Sequence, residues 1–366
     1  SNGGLTPTTV EADDVTLLVY GAYGYTGELL ARRAVARGER PILAGRSAKP
    51  LRALADDLDC PRRRFDVDAA ADNLDDVDAV LNCAGPFART AEPMVEACLQ
   101  TGTDYLDITG EVGVFESLAD RHAEAESAGV TLLPGVGFDV VPTDCLARHL
   151  ADRLPDAQEL SLGFSAEGSF SGGTLQTAVS QLGSGGVVRR DGRLVQVPAD
   201  WQTRTIDFGR GYREKAVTLP WGDVSTAYRT TGIPTVRVYG ALPRTARWFL
   251  SVSTYLGPLL SADPVVEGLQ RLIDARVDGP SEAERESGEV YVWGEARTDE
   301  GERAVSRLRT PHTYELTVTA ALAAVERTLA GDAPVGYTTP GLAFGADFVT
   351  DLPGVERRDG TRATFG

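Results

Sequence analysis

Seven residues, Gly21-Ala22-Tyr23-Gly24-Tyr25-Thr26-Gly27, lie between an apolar run, Val15 to Tyr20, and a stretch with helical periodicity from Gly27 to Arg37. Glycines at such a junction permit a tight turn and let the backbone approach a pyrophosphate, whose charge the amides of the helix N-terminus then balance. The pattern is GxxGxxG where GxGxxG is commoner, and its place between strand and helix separates it from a plain glycine turn. A dinucleotide is therefore expected here. In NAD-type units an acidic residue about 20 residues further on accepts hydrogen bonds from the ribose. In this chain the second strand, Pro41-Ile42-Leu43-Ala44, runs into Gly45-Arg46-Ser47, with Lys49 close by and no carboxylate at the strand end. Arg46 offers a fork of donors to a 2′-phosphate and a plane to stack on adenine, and Ser47 and Lys49 add contacts. NADP is expected over NAD; the plainer alternative makes Arg46 a solvated loop charge.

Further along, Phe65-Asp66-Val67-Asp68 ends a third strand, where Asp66 is placed to accept from the adenine amino group or to cap a turn. The fourth strand ends in Asn82-Cys83-Ala84-Gly85-Pro86-Phe87. Its position at a strand's carboxyl end makes Asn82, Ala84, Gly85 and Pro86 candidates for passing the nicotinamide close to the backbone, with Cys83 as packing rather than nucleophile. Hydride transfer is the cofactor's chemistry, so the protein must position the substrate and supply a proton. Glu111, Asp139 and Asp144 follow strand ends and are the candidate acids or bases. Each has a structural alternative: Asp139 fixing the Gly-Phe-Asp turn, Asp144 capping a helix from Cys145 to Leu150. Tyr212 and Tyr228 are weaker candidates. The TyrxxxLys pair that short-chain dehydrogenases use is missing after the fourth strand.

These residues need an alternating scaffold, and the pattern supplies one. Strands at Val15 to Tyr20, Arg40 to Ala44, Arg64 to Asp66, Ala79 to Cys83, Tyr105 to Asp107 and Val130 to Pro134 alternate with helices at Gly27 to Arg37, Leu51 to Leu58, Pro93 to Gln100 and Phe115 to Ala128. The class expected is α/β, an N-terminal Rossmann domain with a parallel, doubly wound sheet over residues 14–155. Beyond it, period-2 alternation at Glu159 to Phe164, a hairpin from Val187 to Val197 turning at Asp191-Gly192, and strands at Thr235 to Ala241, Glu289 to Glu295 and Ala304 to Leu308 indicate a mainly antiparallel sheet. With helices at Thr174 to Leu182, Pro264 to Ala275 and Leu316 to Leu329, residues 156–330 read as a second α+β domain for substrate and dimer contacts. Residues 331–366 read as a segment returning to the first domain. Two domains suit 366 residues.

Composition excludes several classes. The net charge of −17, with Lys49 and Lys215 the only lysines, disfavours nucleic acid and resembles proteins of salt-loving organisms. Cys60, Cys83, Cys98 and Cys145 form no CxxC pair, which fits a reducing cytoplasmic setting. His122, His149 and His312 show no ligand spacing, so no metal is expected. Ser1-Asn2-Gly3-Gly4 is set aside from the fold, no signal-peptide pattern follows, and no apolar run is long enough to span a bilayer. Trp248, Phe249, Leu250, Tyr255, Leu256, Leu259 and Leu260 concentrate apolar surface between Arg244 and Leu260. A core or dimer-interface helix is the first reading there, a lipid-like substrate lid or peripheral membrane contact the second.

With those residues in view, the chain resembles the saccharopine dehydrogenase-like oxidoreductases, in the branch of the trans-acting enoyl reductases. The resemblance rests on Gly21 to Gly27, Ala44-Gly45-Arg46, Asn82 to Phe87, Tyr105 to Glu111, Gly137 to Asp144, Ser171-Gly172-Gly173-Thr174, Gly279-Pro280-Ser281, Val292-Trp293-Gly294-Glu295 and Thr339 to Gly345. It implies an NADP-binding Rossmann domain, an inserted α+β domain and hydride transfer to or from an organic substrate. An enoyl or isoprenoid-like C=C bond is the leading expectation. The alternatives are a saccharopine-type amino-acid dehydrogenase acting at a C–N bond, for which Arg189, Arg190, Arg204 and Arg213 would have to build a basic pocket, and a non-catalytic NADP-binding sensor or scaffold.

Overall fold

The computed structural model describes residues 16–166, 185–198, 201–241 and 280–360, and within them two sheets. Strands β1 (Leu17–Tyr20), β2 (Ile42–Gly45), β3 (Arg62–Arg64), β4 (Ala79–Asn82), β5 (Asp104–Asp107), β6 (Thr131–Leu133) and, from late in the chain, β15 (Gly336–Tyr337) form the first, in the order β15-β6-β5-β4-β1-β2-β3. Every pair in it is parallel. β1, β2 and β4 are buried along their whole length because helices cover both faces, which is why they are apolar without alternation. The crossovers are α1 (Tyr25–Ala36), α2 (Ala48–Leu58), α3 (Phe87–Thr101), α4 (Val112–Asp120) and α5 (His122–Ala128).

Two of these helices depart from the sequence pattern. α3 begins at Phe87, six residues before Pro93, where proline suggested an N-terminus. Its early start rests on a cap from outside the helix, the Glu111 carboxylate. The helix expected from Phe115 to Ala128 breaks into α4 and α5 at Arg121, whose guanidinium is drawn off to Glu92 and Glu96 of α3.

The second sheet contains β7 (Glu159–Ala166), β8 (Gly186–Arg190), β9 (Arg193–Val197), β10 (Thr203–Gly209), β11 (Tyr212–Thr218), β12 (Thr235–Ala241), β13 (Glu289–Arg297), β14 (Arg303–Pro311) and β16 (Glu356–Asp359). All its pairings are antiparallel except β7 with β12. The β8–β9 hairpin turns at Asp191-Gly192 with both residues at positive φ, +49° and +75°, as a tight two-residue turn requires. Between the sheets lies α6 (Val141–Arg153), buried along most of its length. A methyl on Gly294 of β13 would lie 2.6 Å from Leu150, so glycine lets strand and helix pack face to face. One apolar cluster accordingly runs from Val19 and Leu81 through Leu146 and Leu150 to Leu162 and Val292.

The remaining helices among the described residues are α7 (Asp223–Thr231), α8 (Glu282–Ser287), α9 (Thr313–Leu329), α10 (Pro340–Ala343) and α11 (Phe348–Asp351). Packing does not change at residue 330: α9 lies against α1, β4 and β5 of the first domain, and beyond it β15 joins the first sheet while β16 joins the second. The helices read at Thr174 to Leu182 and Pro264 to Ala275, the Ser171 to Thr174 motif and the Arg244 to Leu260 segment lie outside the described residues. Among those described, no helix is long and apolar enough to cross a membrane.

Candidate functional site at the carboxyl edge of the first sheet

The glycine segment closes the β1–α1 turn with its own amides. Gly21 N and Ala22 N donate to Ala44 O at 2.9 and 3.2 Å, and Gly24 N donates to Gly21 O at 3.0 Å. Gly21 sits at φ +77°, and a methyl there would lie 2.9 Å from the backbone N of Ala84, so glycine is what lets the β1 and β4 loops touch. A methyl on Gly27 would collide with Gly21 O. Gly21, Ala22 and Gly27 therefore shape the loop. Gly24 is the N-cap of α1 and no side chain caps it, which leaves first-turn amides of Tyr25, Thr26 and Gly27 without intrahelical partners. A pyrophosphate fits those donors. The Tyr25 side chain turns elsewhere: its hydroxyl donates to Pro280 O and accepts from Arg285 Nη1, and its ring meets Tyr314 edge-on at 5.0 Å. It fastens α1 to the second domain.

At the end of β2, the Tyr23 ring lies over Gly45, where a methyl would come within 2.6 Å of it, and the Tyr23 hydroxyl accepts from Ser47 N at 3.1 Å. Ser47 is the N-cap of α2 with its side chain unused as a cap, and Arg46, Ser47 and Lys49 stand exposed together. The structure adds Arg64, which the sequence reading passed over as part of a short strand. Its Nε donates to Arg46 O at 3.1 Å, while Arg62 and Arg63 are drawn to Asp56 and Asp76. Two guanidiniums, an ammonium and a helix N-terminus at one strand end could hold a phosphate. Asp66, past β3, is the exposed N-cap of a turn at Val67–Ala69. Burial, reinforced by the Asp66 charge, pushes the nearby Tyr20 hydroxyl up to about 12.

At the β4 end three expected roles change. Asn82 is fully buried: Nδ2 donates to Thr90 Oγ1 and Tyr105 OH, both at 3.3 Å, and Oδ1 accepts from Ala84 N at 3.0 Å. It braces the loop that presents Ala84, Gly85 and Pro86, with both amide hydrogens engaged inside the protein. Glu111 accepts from Phe87 N at 2.9 Å and from Ala88 N at 3.0 Å, so both oxygens cap α3. Asp144 is fully buried, taking Thr230 Oγ1 at 2.6 Å and Gly341 N at 2.7 Å, which ties α6 to α7 and α10. Carboxylates held this way are structural. Cys83 is a thiol pushed far up by burial, with Asp107 adding, and is no nucleophile.

Asp139 differs. Its side chain is half-buried, and among the described residues no donor pairs with its carboxyl. Desolvation pushes it up to about 7. It faces Gly110 across the β5 loop, where a methyl would lie 2.8 Å from Oδ2, and its carbonyl accepts from Trp221 Nε1 at 2.7 Å. Phe164 packs tilted on Trp221 at 4.7 Å and edge-on to Phe138 at 6.3 Å, so an aromatic group adjoins the Asp139 backbone. Behind it lies Asp223, at the start of α7 and fully buried; burial first, then the charges of Asp144 and Asp139, push it well up. Nothing in the spacing distinguished Asp139 from Asp144; only the partners do.

A parallel sheet with a glycine loop, a group of cations and an acid unpaired among the described residues at its carboxyl edge is the arrangement of a two-domain nicotinamide-dinucleotide-binding protein. Residues 17–133 match the saccharopine dehydrogenase NADP-binding domain. Over 152 residues the chain is 34% identical to a trans-acting enoyl reductase of Mycobacterium ulcerans, covering 38% of this chain and 36% of that protein. Over 207 residues it is 27% identical to an Arabidopsis thaliana protein described as a saccharopine dehydrogenase-like oxidoreductase, covering 48% and 44%. The matched stretches thus span less than half the length of these relatives. In three dimensions the chain resembles saccharopine dehydrogenase (L-Glu forming) from Saccharomyces cerevisiae, with TM-score 0.64, 13% identity, and 95% of this chain and 100% of that one covered. Residues 17–133 are therefore similar to the NADP-binding domain of saccharopine dehydrogenases, and the cofactor is a nicotinamide dinucleotide.

Proposed function

We propose that this chain is an NADP(H)-dependent oxidoreductase that reduces an activated C=C bond of an apolar, enoyl or isoprenoid-like substrate, with Asp139 as proton donor. The observation that carries the reading is the Asp139 carboxyl: unpaired among the described residues, pushed up to about 7 and set at the carboxyl edge of the sheet. When bound, NADPH supplies the hydride. Tyr25, Thr26 and Gly27 amides hold the pyrophosphate, while Arg46, Ser47, Lys49 and Arg64 hold the 2′-phosphate. Gly85, where an added methyl would meet nothing nearer than the Phe87 ring at 3.8 Å, leaves room for the nicotinamide face. Asp139 would give its proton to the alkene carbon that takes up the π pair of the C=C bond, the hydride bringing its own electron pair to the other carbon, and the carboxylate left behind would be reprotonated from solvent. A carboxyl titrating near neutrality is suited to that transfer.

The substrate class draws support from the aromatic residues Phe138, Phe164 and Trp221 around the Asp139 backbone and from what the arginines do. Arg189 is buried on Val224 O, Gly192 O and Glu116, Arg190 stacks on Trp201, Arg204 pairs with Glu295 and Arg213 with Asp207. None of the four turns toward Asp139, so they do not build the basic pocket a doubly charged amino acid needs. The description of some relatives as trans-acting enoyl reductases agrees with this.

The test begins with fluorescence titration of NADPH and NADH against wild type and Arg46→Ala, then follows NADPH oxidation with enoyl thioesters for wild type and Asp139→Asn. The proposal expects selective NADPH binding, weakened by Arg46→Ala, and turnover abolished by Asp139→Asn with binding intact. Turnover of an amino-acid substrate but of no alkene would overturn the substrate class, and NADPH bound with no turnover of any substrate would favour a sensor.

A further inference from the structure

Tyr105 and Asp107 stand two residues apart in β5, so their side chains share one face of the strand. Both are fully buried, as are Asn82, which pairs with Asp107 across to β4, and Thr109 just past the strand end. A buried carboxyl is costly unless its oxygens are used. Asp107 Oδ1 accepts from Thr109 N at 3.0 Å and from Gly135 N at 2.9 Å, and Oδ2 accepts from Tyr105 OH at 2.8 Å. Burial pushes this carboxyl up to about 6, and the three donors keep it from rising further, so it is ionised at neutral pH.

An ionised carboxylate only accepts, and that fixes the polarity of everything attached to it. The Tyr105 hydroxyl gives its one proton to Asp107, so toward Asn82 it accepts, and Asn82 Nδ2 donates to it at 3.3 Å. The Asn82 amide is thereby turned with Oδ1 toward Ala84 N, at 3.0 Å. Thr90, which accepts from the same Nδ2, donates to Ala84 O, and Ala84 is what a methyl on Gly21 would strike. One arm from Asp107 therefore ends in the loop that presents Ala84, Gly85 and Pro86. The other arms end beside Asp139. Thr109 opens the loop in which Gly110 meets Asp139 Oδ2, and Gly135 opens the loop that runs through Phe138 to Asp139 itself. The backbone carbonyl of Asp107 also takes Val136 N at 2.8 Å, in that same loop.

We propose that Asp107 is a positioning residue: one buried carboxylate that holds the nicotinamide loop and the two loops around Asp139 at a fixed separation, with Tyr105 and Asn82 as the arm on the cofactor side. The inference rests on Asp139 being the proton donor and adds what sets its distance from the hydride. Being fully buried, Asp107 acts on the reaction only through these loops. Hydride and proton go to neighbouring carbons of one substrate, so the spacing of the loops enters the rate directly.

The test compares wild type, Tyr105→Phe and Asp107→Asn by amide hydrogen exchange of the full chain without cofactor, by NADPH titration and by turnover of enoyl thioesters. Tyr105→Phe cuts only the Asn82 arm, so exchange should quicken at residues 84–88 and stay unchanged at 109–111 and 135–139. Asp107→Asn removes the charge behind all three bonds and turns a donor toward the Tyr105 hydroxyl, so all three segments should quicken. NADPH affinity should hold within about threefold in both variants, since the pyrophosphate and 2′-phosphate contacts lie elsewhere, while kcat falls about 10–100-fold with little change in KM. Exchange that quickens equally in all three segments for Tyr105→Phe, or in none for either variant, would overturn the inference, as would an unchanged kcat in variants whose loops have loosened. Should Asp107→Asn not fold, Tyr105→Phe decides through its segment-selective exchange and its kcat. A wild type that turns over no alkene would strike the reading of Asp139, and the exchange pattern would then by itself support or refute Asp107 as the tie between the loops.

Discussion

The carboxyl edge of the first sheet and the outer face of the second are built in opposite ways. The first works mainly through backbone: a loop whose glycines allow close approach and a helix start whose amides have no partners. Few of its residues need to be charged, and those that are, Arg46, Lys49 and Arg64, gather at the end that would hold an extra phosphate. The second is held together by side chains from three strands gathered on the buried Glu295. Backbone recognition is written into a short stretch of sequence. A side-chain cluster across strands depends on register and on the curl of a hairpin.

The sharpest way to break the comparison is at Asp139. If the first region is a catalytic crevice, Asp139→Asn lowers kcat by roughly 10²–10⁴ while NADPH affinity stays within twofold, as steady-state kinetics and titration would show. A smaller loss would reassign the carboxyl to fixing its turn. For the wild type the protonated acid is the active form, so kcat falls as pH rises through about 7; the fall should vanish in the asparagine variant.

Next in size is Arg46→Ala, expected to weaken NADPH by about 10–100-fold with little change for NADH, the loss of one or two charge-assisted hydrogen bonds. Arg64→Ala should follow the same pattern more weakly; equal losses for both nucleotides would assign Arg64 to holding the loop.

Smaller still is Glu111→Gln, which removes the charge from the cap on α3. It should cost about 1 kcal/mol, read as a drop of roughly 2–4 °C in Tm, and leave the pH dependence of kcat alone. A changed pH profile would return Glu111 to the chemistry.

The same carboxyl also bears on stability against pH. Asp139 has a folded value near 7 against about 3.9 unfolded, so the native state holds its proton more tightly. Its stabilising share is complete below about pH 4 and is lost as pH rises through about 7. The Tm of Asp139→Asn should therefore gain on wild type between those limits and run parallel above them.

How much was legible follows the same division. β1, β2 and β4 showed as short apolar runs because both their faces are covered, and β12 and the Asp191-Gly192 hairpin showed through alternation and a turn that demands positive φ. The β10–β11 hairpin and α7 were not anticipated, since Thr203 to Thr218 mixes charges on both faces and gets its apolar contacts from Trp293 and Tyr239 far along the chain. The glycine loop and Arg46 were readable because local backbone geometry and a missing acid suffice. Glu111, Asp139 and Asp144 stood as equals, each an acid past a strand end.

By itself, then, the sequence determined the alternating α/β rhythm, the position of the dinucleotide loop and the expectation of NADP, because periodicity and glycine stereochemistry act over a few neighbouring residues. Tertiary structure alone decided which carboxylates are spent and which one is left unpaired among the described residues. Glu111 finds the amides of α3, Asp144 finds Thr230 and Gly341, and Asp139 is left desolvated beside Trp221. A carboxyl's proton affinity is set by burial and partners, and those partners lie from about 20 to about 200 residues away in the chain.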